Sequence, residues 1–331
     1  MHALRRSLLR CGIQARNIST KEVTEVTIPV PWGHLAGKWW GTRDKQPILA
    51  LHGVQDNAAS FDRLIPLLDT GGIPIFAVDV PGHGKSDRIP PGYLPHYTDV
   101  LLILRFLIKD VFKGWGRMNF LSHSFGSSVC FAYAGIFPGE VQSFVSIECA
   151  RLFMTNNRPE KLRGTIDKVI KYSRKTEVEP PSDTYDQMLS KFYKGRKGRV
   201  TMDSSQVLLS RGLTKSTLSK DKFYYSRDYV TRLPALGLFS VDYWNELASR
   251  ITCNTLIIKA ENGLFWKKCP MRDEFVNQAK LIEKNVPEFE YAFVTEGGHH
   301  VHIDAPEKVA PVINSFYAKG VLVGKESALN Q

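Results

Sequence analysis

The sequence predicts an α/β fold: a mostly parallel, eight-stranded sheet with helices on both faces and an inserted helical segment. Three observations carry that prediction. Short unbroken apolar runs, such as Pro47-Ile48-Leu49-Ala50-Leu51 and Ile73 to Val78, read as strands buried on both faces. They alternate with longer helical patterns, as parallel strands joined by crossovers require. Between residues 150 and 250 such runs vanish and charged residues accumulate, which marks an insertion.

Taken in order, residues 1–20 come first as a leader with Arg5, Arg6, Arg10 and Arg16 among leucines and no acid. An Arg-rich, acid-free, amphipathic start predicts a mitochondrial transit peptide, the alternative being an unaddressed tail of a cytoplasmic protein. It lacks the apolar stretch of a secretory signal. Val23 to Val30 alternates, and His34 to Trp40 follows Pro31-Trp32-Gly33, so the two form an antiparallel pair. The two buried runs quoted above are the next strands. A helix over Tyr97 to Phe112 leads to Met118-Asn119-Phe120-Leu121, and Val141 to Glu148 is a further strand. Strand texture resumes at Thr255 to Ala260, then come a helix from Met271 to Lys284, a strand from Phe289 to Val294 and a helix from Pro306 to Ala318. The core is therefore 21–149 with 251–323, and residues 150–250 form a helical cap.

The chain has 331 residues, 43% of them hydrophobic, enough to bury a large core. No apolar run reaches the roughly 18 residues needed to span a bilayer. Five scattered cysteines, without C-x-x-C pairs, predict reduced thiols in an intracellular compartment rather than a disulfide framework or zinc site. Net charge is +11, but residues 1–20 contribute +4 and residues 151–250 contribute +9. Without a zinc finger, RNP signature or helix-turn-helix pattern, this balance does not indicate nucleic acid. It fits a solvated basic face, an anionic substrate, or weak contact with an anionic membrane surface.

Chemistry centres on Ser122-His123-Ser124-Phe125-Gly126, between an apolar strand and a helix of small residues. The pentapeptide matches the nucleophile elbow G-x-S-x-G except that Ser122 replaces the first Gly. Ser124 is then the candidate nucleophile; the plainer reading is a serine that caps the following helix. Catalytic groups of open α/β sheets gather at the carboxyl ends of strands. His52-Gly53, Ser124, Glu148 or Glu261, and His299 all fall at such ends. His299 follows Gly297-Gly298 after the last strand and can reach the serine as general base. His302 is better placed to buttress the loop, and a His-x-x-His metal site is the rival reading. Asp79 and His83 are expected to shape their turn, and Asp56 and Asn57 to bond turn N–H groups.

LALHGVQDNAASFDRL, VDVPGHGKSD, LSHSFGSS and GGHHVHIDAPEKV together resemble the α/β-hydrolase superfamily, and within it the serine hydrolase-like, kraken-type proteins. The resemblance implies the α/β-hydrolase fold, Ser124 as nucleophile and His299 as base. It also implies an oxyanion hole from the backbone N–H groups of Val54 and Phe125, with no cofactor or metal. The third member of a triad departs from the pattern. The usual Asp of a G-x-x-D turn would fall at Gly263, in Ala260-Glu261-Asn262-Gly263. Glu148, at the end of the strand beside the elbow strand, and Glu261 are the two candidates. The expected substrate is a small acyl compound, an ester or thioester. The apolar residues Phe153, Met154, Phe223, Tyr224, Phe239, Tyr243 and Trp244 are expected to divide between cap packing and an acyl pocket. A non-catalytic ligand-binding protein on the same scaffold is the alternative.

Overall fold

The computed structural model describes residues 22–94, 96–149, 159–174, 179–233, 240–264 and 271–322. The leader and Phe153, Met154 and Phe239 lie outside them. The sheet opens with β1 (Val23–Val30) and β2 (Gly33–Trp40), paired antiparallel from Val23↔Trp40 to Val30↔Gly33. Next come β3 (Ile48–Leu51), β4 (Ile75–Val78), α1 (Tyr97–Phe106), β5 (Met118–His123), α2 (Phe125–Ile136) and β6 (Val141–Ile147). The insertion holds α3 (Pro159–Ser173), α4 (Tyr185–Arg196), α5 (Met202–Gly212), β7 (Leu213–Lys215), β8 (Phe223–Tyr225) and α6 (Val241–Arg250). The chain closes with β9 (Asn254–Asn262), α7 (Met271–Glu283), β10 (Phe289–Gly298), α8 (Val301–Asp304) and α9 (Pro306–Tyr317).

Eight strands form one sheet in the order β1-β2-β4-β3-β5-β6-β9-β10, and from β4 to β10 every pairing is parallel. Side chains alternate across it. Leu49, Phe120, Phe144 and Ile257 pack on one face with α1, α2, α6 and α7. Ala50, Leu121, Val145 and Ile258 pack on the other with α9. Each large apolar side chain buried this way contributes about 1.5–3 kcal/mol. This explains why these strands read as unbroken apolar runs: neither face meets water.

The insertion differs from the expected helical unit in two ways. It carries an antiparallel ribbon, β7 with β8, joined from Leu213↔Tyr225 to Lys215↔Phe223. Its last helix, α6, packs on α2, and Trp244 and Leu247 join the main cluster, so the core layer resumes before residue 251. Tyr243 and Trp244 are accordingly core residues, Trp244 lying against Tyr97 and Phe131. A small cluster of Phe192, Val200, Leu208, Leu209 and Ile303 ties α4 and α5 to α8. No helix among the described residues is long and apolar enough to cross a membrane.

Candidate active site

Ser124 stands between β5 and α2 with φ 51° and ψ −116°, a conformation a non-glycine residue adopts only under constraint. Three contacts impose it. The Ser124 N–H donates to the Ile147 carbonyl at 3.0 Å. The Ser122 hydroxyl donates to the Val145 carbonyl at 2.9 Å, so the residue replacing glycine satisfies its own buried polar group. At Gly126, an added Cβ would stand 2.3 Å from the Leu51 carbonyl oxygen, so only glycine lets α2 start this close to β3.

His299 follows β10, whose pairing with β9 bulges between Val294 and Gly298. The bulge turns the chain so that His299 Nε2 lies 3.0 Å from Ser124 Oγ. His299 Nδ1 lies 3.0 Å from Glu148 Oε2. Glu261 is elsewhere: its carboxylate accepts the Glu296 N–H at 3.0 Å and so supports the bulge. The structure brings together Ser124, His299 and Glu148.

Glu148 sits just beyond β6 with φ 72°, its N–H donating to the Ile258 carbonyl at 2.8 Å. Its carboxylate is buried and accepts the Ala260 N–H at 2.6 Å, the Leu264 N–H at 3.2 Å and Lys259 Nζ at 3.2 Å. The missing Asp and this Glu are two sides of one fact. A Cβ on Gly263 would stand 2.1 Å from Glu148 Oε2, so the space that a side chain at 263 would take is filled by Glu148. Burial pushes the Glu148 carboxyl up, to about 7, against the pull of Lys259. Burial, together with His300 and Lys259, holds His299 well below the usual imidazole value. His299 is therefore neutral at physiological pH, able to accept a proton at Nε2 while Nδ1–H donates to Glu148.

Lys259 was missed by sequence reasoning, although the signal was visible. A lone lysine inside Thr255-Leu256-Ile257-Ile258-Lys259-Ala260 requires a buried carboxylate partner. Asp56 also differs from expectation. Its buried carboxylate pairs with Arg196 at 2.8 Å and with His300 Nε2 at 3.2 Å, rather than with turn N–H groups. Asn57 does accept the Ala59 N–H at 3.0 Å. Asp79 accepts N–H groups of Ala58 and Lys85 and pairs with Arg211 at 2.7 Å. His302 is buried and packs against His123 with ring centroids 4.0 Å apart and the rings tilted by 35°. Burial depresses the basicity of both rings, so this pair is a neutral packing element.

The loop carrying Val54 is braced from several sides. His52 Nε2 accepts the Val80 N–H at 3.0 Å, which leaves Nδ1–H to donate to the Gly53 carbonyl at 2.7 Å. The Asp56 N–H donates to the same carbonyl at 3.1 Å. In a trans peptide the N–H points opposite the C=O, so pinning the Gly53 carbonyl also sets the direction of the Val54 N–H. Gly53 lies directly against the serine: a Cβ there would be 3.2 Å from Ser124 Cβ. His83 Nε2 accepts the Gln55 N–H at 3.0 Å, a structural role as expected. Phe125 opens α2, and the first N–H groups of a helix have no acceptor within it.

Residues 46–306 match the sequence profile of the alpha/beta hydrolase fold family. The chain is 35% identical over 303 residues to a Drosophila melanogaster protein named "Probable serine hydrolase", covering 88% of this chain and 87% of that one. It is 30% identical over 316 residues to human serine hydrolase-like protein 2, covering 91% and 96% respectively. A crystal structure of a hypothetical protein from Pseudomonas aeruginosa superposes with a TM-score of 0.73 at 26% identity, over 89% of this chain and 99% of that one. With a strained elbow serine at the end of the central strand and relatives spanning nearly its whole length, the chain belongs to the α/β-hydrolase family and resembles its serine hydrolase-like members.

Proposed function

We propose that this protein is a cofactor-independent serine hydrolase that cleaves a small carboxylic ester or thioester through an acyl-enzyme on Ser124. The observation that carries the proposal is the unbroken relay from Ser124 Oγ to His299 Nε2 and from His299 Nδ1 to Glu148 Oε2, each 3.0 Å. Ser124 Oγ attacks the acyl carbon as its proton passes to His299 Nε2. The carbonyl oxygen gains the negative charge, and the Val54 and Phe125 N–H groups receive it. Such donors are worth about 2.7–4 kcal/mol each in the transition state, because they are aimed before charge develops. Collapse of the intermediate expels the alcohol or thiol, which takes its proton from His299. Water then attacks the acyl-enzyme with His299 again as base, and Ser124 leaves with the proton returned. Glu148 accepts from Nδ1–H throughout, holding the tautomer and stabilising the imidazolium.

In this reading the insertion acts as a cap. Arg196 donates to the Gln55 carbonyl at 2.9 Å as well as pairing with Asp56, and His300 Nδ1 donates to the Arg199 carbonyl at 2.8 Å. The cap thus holds both the loop of Val54 and the loop of His299. Phe223 and Tyr224 both belong to the cap's ribbon, and Tyr224 also meets the core, its ring beneath the Arg88 guanidinium at 5.8 Å.

Fluorophosphonate labelling tests the proposal. The expected result is a single adduct on Ser124, mapped by mass spectrometry and lost in His299→Ala. A folded protein that takes no adduct, or takes it elsewhere, overturns it.

The pH profile follows from the same relay. Glu148 must be ionised to accept from His299, and its carboxyl is raised to about 7. Lowering the pH protonates it, so kcat/KM for 4-nitrophenyl butyrate should fall as pH drops through about 7. His299 adds no higher limb, since its own basicity is depressed. The inflection belongs to the coupled pair. A profile flat down to pH 5 would show that the Glu148 carboxyl is not raised in the working enzyme.

A further inference from the structure

Among the described residues, several inward-facing cations have carboxylate partners, and Arg63 bonds the Ser204 hydroxyl and the Ile303 carbonyl instead. Lys259 pairs with Glu148, Arg211 with Asp79 and Glu25, Arg196 with Asp56, and Arg105 with Glu140. Arg227, just after β8, has none among the described residues. Its guanidinium is held by rings instead, 4.4 Å from the Tyr225 centroid and 5.6 Å from that of Phe192. Ring stacking occupies the faces of a guanidinium and leaves its N–H edge without acceptors. Arg227 borders a small, partly open cavity of about 30 Å³ lined by Pro180, Tyr225, Arg227, Asp228, Tyr229 and Arg232. Asp228 does not neutralise it. Its carboxylate accepts the Ile89 N–H at 2.6 Å and lies 3.8 Å from Arg88 Nε.

The cavity is linked to the loop of Val54 through contacts of the insertion. The Phe192 ring has Arg227 on it at 5.6 Å and Arg196 at 4.7 Å, and Arg196 is the residue that donates to the Gln55 carbonyl of the Val54 loop. The Asp228 N–H donates to the Gly82 carbonyl at 2.9 Å, seating this segment on the turn that contains His83. Burial and Arg196 hold the Arg227 guanidinium down to about 10, so it remains charged at neutral pH. Arg227 is half-buried, and with no carboxylate on it among the described residues its guanidinium is open to an anion that enters the cleft.

We propose that Arg227, with Arg232 at the cavity rim, binds an anionic group carried by the substrate at a distance from the scissile carbonyl. The anion is a carboxylate on the acyl part or a phosphate on the leaving group. This rests on the hydrolase reading and narrows it to acidic esters or thioesters. A neutral ester would leave the guanidinium unpaired, whereas an anionic one gains a charge-assisted, bidentate contact.

Two substrate pairs distinguish the sources. The first is the 4-nitrophenyl half-ester of glutaric acid against its methyl-capped neutral analogue. The second is butyryl-coenzyme A against the neutral butyryl thioester of N-acetylcysteamine. The expected result is a preference in kcat/KM for the anionic member of one pair, lowered at least tenfold by Arg227→Gln and partly kept by Arg227→Lys, which retains charge without the fork. Preferences unaltered in Arg227→Gln in both pairs overturn the proposal. Turnover is not needed for a second reading of the same site. In Ser124→Ala, glutarate or inorganic phosphate should raise the unfolding temperature, and the added Arg227→Lys should weaken that rise. No rise with either anion overturns the anion site even if neutral esters are hydrolysed. A rise that depends on Arg227, in a protein that hydrolyses no ester, supports the anion site while overturning the hydrolase reading.

Discussion

Ser124→Ala is expected to lower kcat for any ester substrate by about 10⁴–10⁶-fold, the loss seen when a nucleophile acting as one unit with its base is removed. Folding should be almost untouched. The hydroxyl's hydrogen bond is to His299 at 3.0 Å, and one such bond is worth about 1 kcal/mol. For a domain of this size that shifts the unfolding temperature by only about 1–2 °C. Alanine keeps the Cβ, so the positive φ at 124 remains imposed by its neighbours. The measurements are steady-state kinetics and thermal unfolding of both proteins side by side. Retained turnover would place the nucleophile elsewhere in the chain.

Moving the acid should have the next largest effect. Glu148→Ala removes the acceptor of His299 Nδ1 and leaves Lys259 without its carboxylate. An expected loss of about 10⁴-fold in kcat follows from losing the tautomer and the imidazolium's partner. Leaving a buried charge unpaired adds about 3–5 kcal/mol of destabilisation. Gly263→Asp alone should also inactivate, because its Cβ would fall 2.1 Å from Glu148 Oε2 and force two carboxylates into one space. Combined, the two changes exchange the tenant of that space. The double variant should regain at least tenfold in kcat over Glu148→Ala and recover much of its stability, as the new carboxylate again faces Lys259. Two defects that merely add would show that positions 148 and 263 are independent, contrary to their contact.

Much of the fold was legible along the chain because its strands are buried on both faces. β3, β4 and β5 read as apolar runs for that reason, and the ends of β5, β6 and β10 pointed to Ser124, Glu148 and His299. The boundary of the insertion was less legible. α6 has the polar surface of a peripheral helix, yet its Trp244 and Leu247 are buried against α2, a partner more than one hundred residues earlier. Periodicity says that a helix has an apolar face and is silent about what covers it. The ribbon of β7 and β8 escaped for a related reason: three-residue strands are too short to show a period.

Local chemistry was enough to single out the elbow, since a small-residue turn between an apolar strand and an apolar helix is a property of neighbouring residues. It was enough, too, to identify the histidine, placed by its glycine pair at the end of the last strand. The choice between Glu148 and Glu261 was not local. Both follow apolar strands and both are long enough to reach. What separates them is a bulge in β10, which Glu261 supports from outside, and the absence of a side chain at Gly263, which opens the interior to Glu148. The bracing of the Val54 loop by Arg196 and the unpaired edge of Arg227 likewise depend on groups far apart in the chain. Hydrogen bonds and charge compensation act through space over a few ångströms, so their partners are chosen only when the sheet brings strand ends together.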